Sequence, residues 1–182
     1  MIKLLILDRD GVLNKVVMRG KIKSSPRNLE ELKMPNDFKT IQSILKEINL
    51  KIVVATNQPD LSRNLLDFET HKEIIRLVSQ NYDIPINNFF VCPHDDYHNC
   101  YCRKPKPGMI IEALKRFKIN PNEAVMIGDS LKDIQAASSA KVENQFFISS
   151  EKNIKLKLKK ENPKLEVFNS TSKALLFLME NL

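Results

Sequence analysis

Six short runs of apolar, β-branched or aromatic residues punctuate the chain, at residues 2–7, 51–55, 89–91, 124–127, 145–148 and 165–168. Their apolar positions are nearly continuous rather than alternating with polar ones. That pattern predicts strands buried on both faces, as in parallel sheets. Between the runs the spacing becomes helical. Phe38, Ile41, Ile44, Leu45 and Ile48 share one helix face, with Asn36 or Asp37 as its cap. Thr70-His71-Lys72-Glu73 reads as a capping box ahead of Ile74, Ile75, Leu77 and Val78. Residues 109–117 follow Pro107-Gly108 with the same spacing, residues 134–140 predict a shorter helix, and 172–182 an apolar-striped last one. Strand–helix alternation predicts a three-layer α/β fold with a mostly parallel sheet. No repeat or linker interrupts it, so residues 1–182 are expected to form one domain.

Two stretches depart from the alternation. Residues 16–35 are polar and basic and carry Ser24-Ser25-Pro26. They are expected to form a loop near the functional site, in contact with substrate, against the alternative of a plain surface connection. Residues 60–88 hold about one helix plus connections, too little for a large cap domain.

Composition narrows the classes. Of 182 residues, 42% are hydrophobic, which excludes a disordered chain, and no apolar stretch approaches the roughly 20 residues of a membrane span. A strand begins at once with no signal-peptide pattern ahead of it, so a cytoplasmic location without membrane partners is expected. The net charge of +7 comes mostly from scattered lysines. The one dense run, Lys155-Leu156-Lys157-Leu158-Lys159-Lys160, lacks the aromatics of a nucleic-acid stacking platform. It is expected to be an exposed strand edge or linker, where Lys discourages edge pairing.

Chemistry gathers at the predicted strand ends, where open α/β sheets bind ligands. Asp8-Arg9-Asp10-Gly11 follows the first strand, Thr56-Asn57-Gln58 the second, and Gly128-Asp129-Ser130 the fourth, with Asp133 one turn on. Arg103-Lys104 lies in the long segment after the third. Each has a structural alternative: Thr56 as a helix cap, Lys104 as solvated charge, Asp129 as a turn residue. Together they bring acids, a hydroxyl and a cation to one edge, and oxygen-rich clusters suit Mg²⁺. Three of the four glycines, Gly11, Gly108 and Gly128, lie in these segments, where the backbone must turn tightly or approach a ligand.

A second constellation holds every cysteine of the chain. Cys92, His94, Cys100 and Cys102 make a Cys₃His set suited to a closed, tetrahedral, structural Zn²⁺ site. Asp96 and His98 are rival ligands, ranked lower because the C-x-H…C-x-C spacing is symmetrical. An odd cysteine count in a reducing compartment argues against a disulfide. The segment is too short and polar for a core of its own, so metal would order it and, with it, the adjoining Arg103 and Lys104. His71, at a predicted helix start, is expected to be solvated.

The segments Leu7-Asp8-Arg9-Asp10-Gly11-Val12-Leu13, Val54-Ala55-Thr56-Asn57, Lys104 and Ile127-Gly128-Asp129 resemble, in order, the four motifs of the haloacid dehalogenase (HAD) superfamily. The resemblance implies a Rossmann-like fold and a phosphatase mechanism. Asp8 would be the nucleophile, forming an aspartyl-phosphate, and Asp10 the general acid and base. Asp8, the Asp10 carbonyl and Asp129 would hold Mg²⁺. Thr56 and Lys104 would bind the transferring phosphoryl oxygens. Asp133 would support Lys104 or the metal, or cap its helix. The C-x-H-x₅-C-x-C-R-K-P run is similar to a zinc-containing subgroup, the D-glycero-D-manno-heptose 1,7-bisphosphate and histidinol-phosphate phosphatases. Within it Arg103 and Asn57 would contact substrate.

Lys104-Pro105-Lys106-Pro107-Gly108-Met109 resembles the heptose branch, whereas the short loop between His94 and Cys100 is closer to the histidinol branch. Pro59-Asp60-Leu61-Ser62-Arg63-Asn64 departs from the Ser-Gly-Ile-Ala-Arg-Gly of the heptose branch. The expectation is a monomeric phosphatase for a small phosphorylated metabolite, a sugar phosphate or bisphosphate ahead of histidinol phosphate. The rival class, a zinc-stabilised nucleic-acid binder, would have no need of the Asp8 nucleophile.

Overall fold

The computed structural model describes residues 1–162 and 165–182. Strand β1 (Leu4–Leu7) leads into an antiparallel hairpin, β2 (Val17–Arg19) and β3 (Ile22–Ser24). Then come α1 (Phe38–Glu47), β4 (Lys51–Asn57), α2 (Phe68–Tyr82), β5 (Phe89–Cys92) and α3 (Gly108–Phe117). The chain continues through β6 (Ala124–Gly128), α4 (Leu131–Ser139), β7 (Asn144–Ile148), α5 (Lys152–Glu161), β8 (Glu166–Phe168) and α6 (Thr171–Glu180). Six strands form one sheet in the order β5-β4-β1-β6-β7-β8. Every pairing in it is parallel, a Rossmann-like architecture.

The continuous apolar runs are explained by helices on both faces. All four residues of β1 are fully buried, and the pleat divides them. Leu5 and Leu7 pack with Ile41, Leu45 and Leu175, from α1 and α6. Leu4 and Ile6 pack with Ile110, Ala113, Ala136 and Ala137, from α3 and α4. Each such burial contributes about 1.5–3 kcal/mol, which makes the central strand a rigid platform for the residues after Leu7. Between β4 and β5 lie one helix and short connections, leaving no large cap.

The structure corrects three expectations. Residues 155–160 are neither strand edge nor linker but lie in α5. The Lys-Leu alternation concealed an i,i+4 pair, Ile154 and Leu158, that packs against Phe147, Leu165 and Val167. Residues 16–35 contain a hairpin rather than loop alone. Helix α2 starts ahead of Thr70, because Asp67 caps it by accepting from the Thr70 N–H and hydroxyl at 2.9 and 2.6 Å. In this register His71 joins Ile74, Ile75, Val78 and Tyr82 on the buried stripe instead of facing solvent.

Candidate active site

Strand β1 is flanked by β4 and β6, and the chain leads away from it in both directions. The carboxyl ends of these three strands open a crevice. Register fixes what lines it. Leu7 is level with Val54 and Ile127, and the Asp8 N–H donates to the Ile127 carbonyl at 2.9 Å. Asp8, Thr56 and Asp129 therefore stand at neighbouring strand ends around a pocket of about 250 Å³. Lys104 and Asp133 complete its floor, and the hairpin's Lys23 and the following Ser25 its wall.

Lys104 is the pivot. Its side chain is 3% exposed, and Nζ lies 2.8 Å from Asp8 Oδ1 and 2.5 Å from Asp133 Oδ1 while donating to the Ala55 carbonyl at 2.8 Å. Burial alone would push this ammonium's pKa down, but the Asp133 and Asp8 carboxylates hold it above the usual lysine range. Asn57 spends its whole amide on Lys104, donating to its carbonyl at 2.9 Å and accepting from its N–H at 3.0 Å. Its visible work is to fix the lysine's backbone. Asp133 combines two of the roles expected for it. Its Oδ2 accepts the Ser130 N–H and hydroxyl as a helix cap, and its Oδ1 faces Lys104.

Asp8, Asp129 and Asp133 bring carboxylate oxygens within 4.8 Å of one another. Burial, then Asp133, raises the Asp8 pKa to about 8 in spite of Lys104, and burial raises that of Asp129. Three acids face two ammonium groups, Lys104 and, 2.8 Å from Asp129, Lys23. Excess negative charge and a convergent set of carboxylate oxygens fit a hard divalent cation such as Mg²⁺. Room is kept by glycine. A Cβ on Gly11, whose φ is +90°, would overlap the Asp129 carboxyl, and one on Gly128 would overlap Asp133.

The Asp10 carboxylate stands outside this cluster, so a part in metal binding would fall to its main-chain carbonyl. Its Oδ1 accepts from Arg9 Nε and Asn14 Nδ2 at 3.2 and 2.8 Å. Its Oδ2 accepts from Arg9 Nη2, Ser25 Oγ and Gln58 Nε2 at 3.0, 2.8 and 2.8 Å. Burial pushes the Asp10 pKa up, but the Arg9 charge and these hydrogen bonds outweigh it and leave it below the usual carboxylate value. Gln58 Nε2 also reaches Thr56 Oγ1 at 2.9 Å, so the Thr56 hydroxyl accepts from the core and can donate its proton into the pocket.

These donors escaped the sequence reading. Arg9 was legible as a charge inside an apolar strand end, and Gln58 belongs to the quoted Thr56-Asn57-Gln58 triplet. Asn14 and Ser25 carry no comparable signal.

At the end of β5 and in the loop after it, Cys92, His94, Cys100 and Cys102 converge. The sulfurs lie 3.3 to 3.6 Å apart, and His94 Nδ1 is 3.4 Å from Cys102 and 3.7 Å from Cys92. Two 2.3 Å bonds at the tetrahedral angle span about 3.8 Å, so the set fits Zn²⁺ with little contraction or expansion. The rivals are engaged elsewhere. His98 Nδ1 accepts the Asp95 N–H, and Asp96 holds Arg103 Nε at 2.6 Å. Arg103 also donates to the His94 carbonyl, tying a pocket-lining cation to the Cys/His loop. A chain of ion pairs, Arg27–Asp60–Arg63–Asp95, runs from the segment after the hairpin to the same loop.

A strand-end aspartate beside a buried lysine, in an acid cluster that fits a divalent cation, is the setting of a metal-assisted hydrolase. A family of haloacid dehalogenase-like hydrolases matches residues 13–141, and the chain belongs to that family, as a phosphoric monoester hydrolase. It is similar to the D-glycero-β-D-manno-heptose-1,7-bisphosphate 7-phosphatase of Neisseria meningitidis, with 37% identity over 138 residues, 74% of this chain and 71% of the relative. The Bordetella bronchiseptica enzyme of the same name is 36% identical over 142 residues, 76% of each chain. A crystal structure of the D,D-heptose 1,7-bisphosphate phosphatase from B. bronchiseptica, complexed with magnesium and phosphate, superposes with a TM-score of 0.77, covering 100% of both chains at 28% identity.

Proposed function

We propose that the chain, residues 1–182 acting as one unit, is a Mg²⁺-dependent phosphatase that removes the 7-phosphate of D-glycero-D-manno-heptose 1,7-bisphosphate. The observation that carries this is the Asp8–Lys104 pair at the floor of a pocket also lined by Lys23, Arg63, Arg103 and Lys132. A floor built for phosphoryl transfer under so many cations suits a substrate with a second anionic group. The relatives carry the name of that activity.

Asp8, Asp129 and the Asp10 carbonyl, with Asp133 beside them, would hold Mg²⁺, whose charge would offset repulsion between carboxylate and phosphate. Asp8 attacks phosphorus, and the P–O bond to the sugar breaks. Asp10 gives its proton to the departing alkoxide. A water then attacks the aspartyl-phosphate, Asp10 takes its proton, the Asp8–phosphorus bond breaks, and inorganic phosphate leaves the regenerated Asp8 carboxylate. Thr56 and Lys104 donate to the equatorial oxygens as charge develops there.

In the resting arrangement Asp10 is the base, saturated by four donor residues. To carry a proton it must lose or invert one of them. Arg9 is donor-only, and the amides of Asn14 and Gln58 are buried. The Ser25 hydroxyl, in the segment after β3, can turn from donor to acceptor.

Cys92, His94, Cys100 and Cys102 would hold a structural Zn²⁺ that fixes Arg103 and Lys104. The pocket dimensions and chemistry suit a small metabolite better than a polymer, and a cytoplasmic monomer is the proposed state.

The test is phosphate release by the purified chain from heptose 1,7-bisphosphate, histidinol phosphate and an aryl phosphate, with and without Mg²⁺. A kcat/KM for the bisphosphate at least tenfold above the others is expected, and preference for histidinol phosphate would overturn the substrate assignment. Salt-sensitive nucleic-acid binding without hydrolysis would overturn the enzyme assignment.

A further inference from the structure

Two lysines face the acid cluster, and they are held very differently. Lys104 is enclosed by Asp8, Asp133 and the Ala55 carbonyl and has nowhere to go. Lys23 reaches across from β3, 106 residues away in sequence, to place Nζ 2.8 Å from Asp129 Oδ2. Its side chain is 56% exposed, while that of Asp129 is 11% exposed. The hairpin that carries it leaves Met18 and Ile22 in solvent, so it is not anchored by a core of its own. Among the described residues Lys23 is the one side chain hydrogen-bonded to the Asp129 carboxylate.

We propose that Lys23 is an exchangeable counter-ion: it neutralises Asp129 in the metal-free enzyme, is displaced when Mg²⁺ binds there, and then serves the phosphoryl group that docks at the metal. The proposal rests on the Mg²⁺ site described above. A carboxylate oxygen committed to an ammonium is a poorer ligand for a cation, so the two compete. The competition is mild because a half-exposed lysine pair is weak and its long stem moves freely. The released charge stays useful. Arg63 and Arg103 are already paired with Asp95 and Asp96, whereas a displaced Lys23 brings an uncommitted ammonium to a pocket it already lines. The metal replaces lysine at the acid, and lysine meets the incoming phosphate.

Calorimetry on the zinc-loaded, magnesium-free protein tests this without reference to turnover or to substrate identity. In Lys23→Met, which keeps the stem and removes the charge, Mg²⁺ should bind about two- to fivefold more tightly than in the wild type. Inorganic phosphate, titrated at saturating Mg²⁺, should bind roughly threefold or more weakly to the same variant, and Lys23→Arg should restore much of that loss. Unchanged or weaker Mg²⁺ affinity in Lys23→Met would overturn the displacement, and unchanged phosphate affinity would overturn the handover. Asp129→Asn is the control. If neither it nor the wild type takes up Mg²⁺, the metal site itself is wrong, and that failure is distinct from the other two.

Discussion

Two clusters of ligand-type side chains stand at the carboxyl edge of the sheet, and they are built differently. Asp8, Asp129 and Asp133 sit among cations of the chain itself, Lys104 below and Lys23 above, on two strand ends and the first turn of α4, all fixed by the core. Their geometry exists before any metal arrives. Among the described residues no side-chain cation is paired with Cys92, Cys100 or Cys102, and three of the four members of the Cys/His set lie in the loop beyond β5. Burial, opposed only partly by the His94 N–H, pushes the Cys92 thiol well above its usual pKa, so a bound cation is what would make it a thiolate. A site whose carboxylates are partly neutralised by protein can exchange its metal and use it in chemistry. A site of mutually packed thiols would depend on a bound metal to keep its shape.

The contrast can be broken most forcefully at Asp8. Asp8→Asn should lower kcat by about 10³-fold or more while the thermal midpoint holds or rises, since one of three crowded buried acids is gone. Retained turnover would remove Asp8 from the nucleophile's role. Metal removal comes next. Stripping zinc, or Cys102→Ser, should lower the thermal midpoint by about 5–10 °C, equivalent to a few kcal/mol for a chain of this size, and impair activity through Arg103 and Lys104. Withdrawing Mg²⁺ should abolish turnover and leave the midpoint within a few degrees. Equal thermal effects would erase the distinction between the two clusters.

A smaller effect separates acid catalysis from binding. Ser25→Ala should reduce kcat/KM about tenfold for an alkyl phosphate and little for an aryl phosphate whose leaving group needs no proton. Equal losses on both would make Ser25 a binding residue. A further effect concerns His71, which feels the charges of Arg9 and Asp10. Burial, aided by the Arg9 charge, lowers the His71 pKa from 6.5 to about 4. A depressed pKa contributes stability that is full above pH 6.5 and is lost as pH falls toward 4. His71→Leu should flatten that decline by at most about 1.4 kcal/mol per pH unit, read as denaturant midpoints at pH 5 and 7. An unchanged slope would place the acid sensitivity elsewhere.

Much of the architecture was legible because the relevant signals are local. Apolar runs buried on both faces announced a parallel sheet, and Asp8, Thr56 and Asp129 could be placed at strand ends because each directly follows or closes such a run. The Cys/His set was legible because all its members fall within eleven residues, 92–102. Where local pattern misled, a longer-range partner was the reason. The Lys-Leu alternation of α5 looked like an edge strand until Ile154 and Leu158 found Phe147 and Val167. His71 looked exposed until the Asp67 cap moved the helix start and turned it inward.

Side-chain commitments were harder still. Nothing in the order of residues says that Asn57 is spent on the backbone of Lys104, or that Asp10 is wrapped by Arg9, Asn14, Ser25 and Gln58.

Hydrophobic period and glycine placement, properties of short windows, were sufficient to specify the sheet and its candidate edge, and the chemical class followed from the resemblance of the motifs to a known superfamily. Pairings across 106 residues between Lys23 and Asp129, or 47 between Asn57 and Lys104, were set by folding alone. They depend on which strand ends become neighbours once the core is packed, and on where burial strips water from charge.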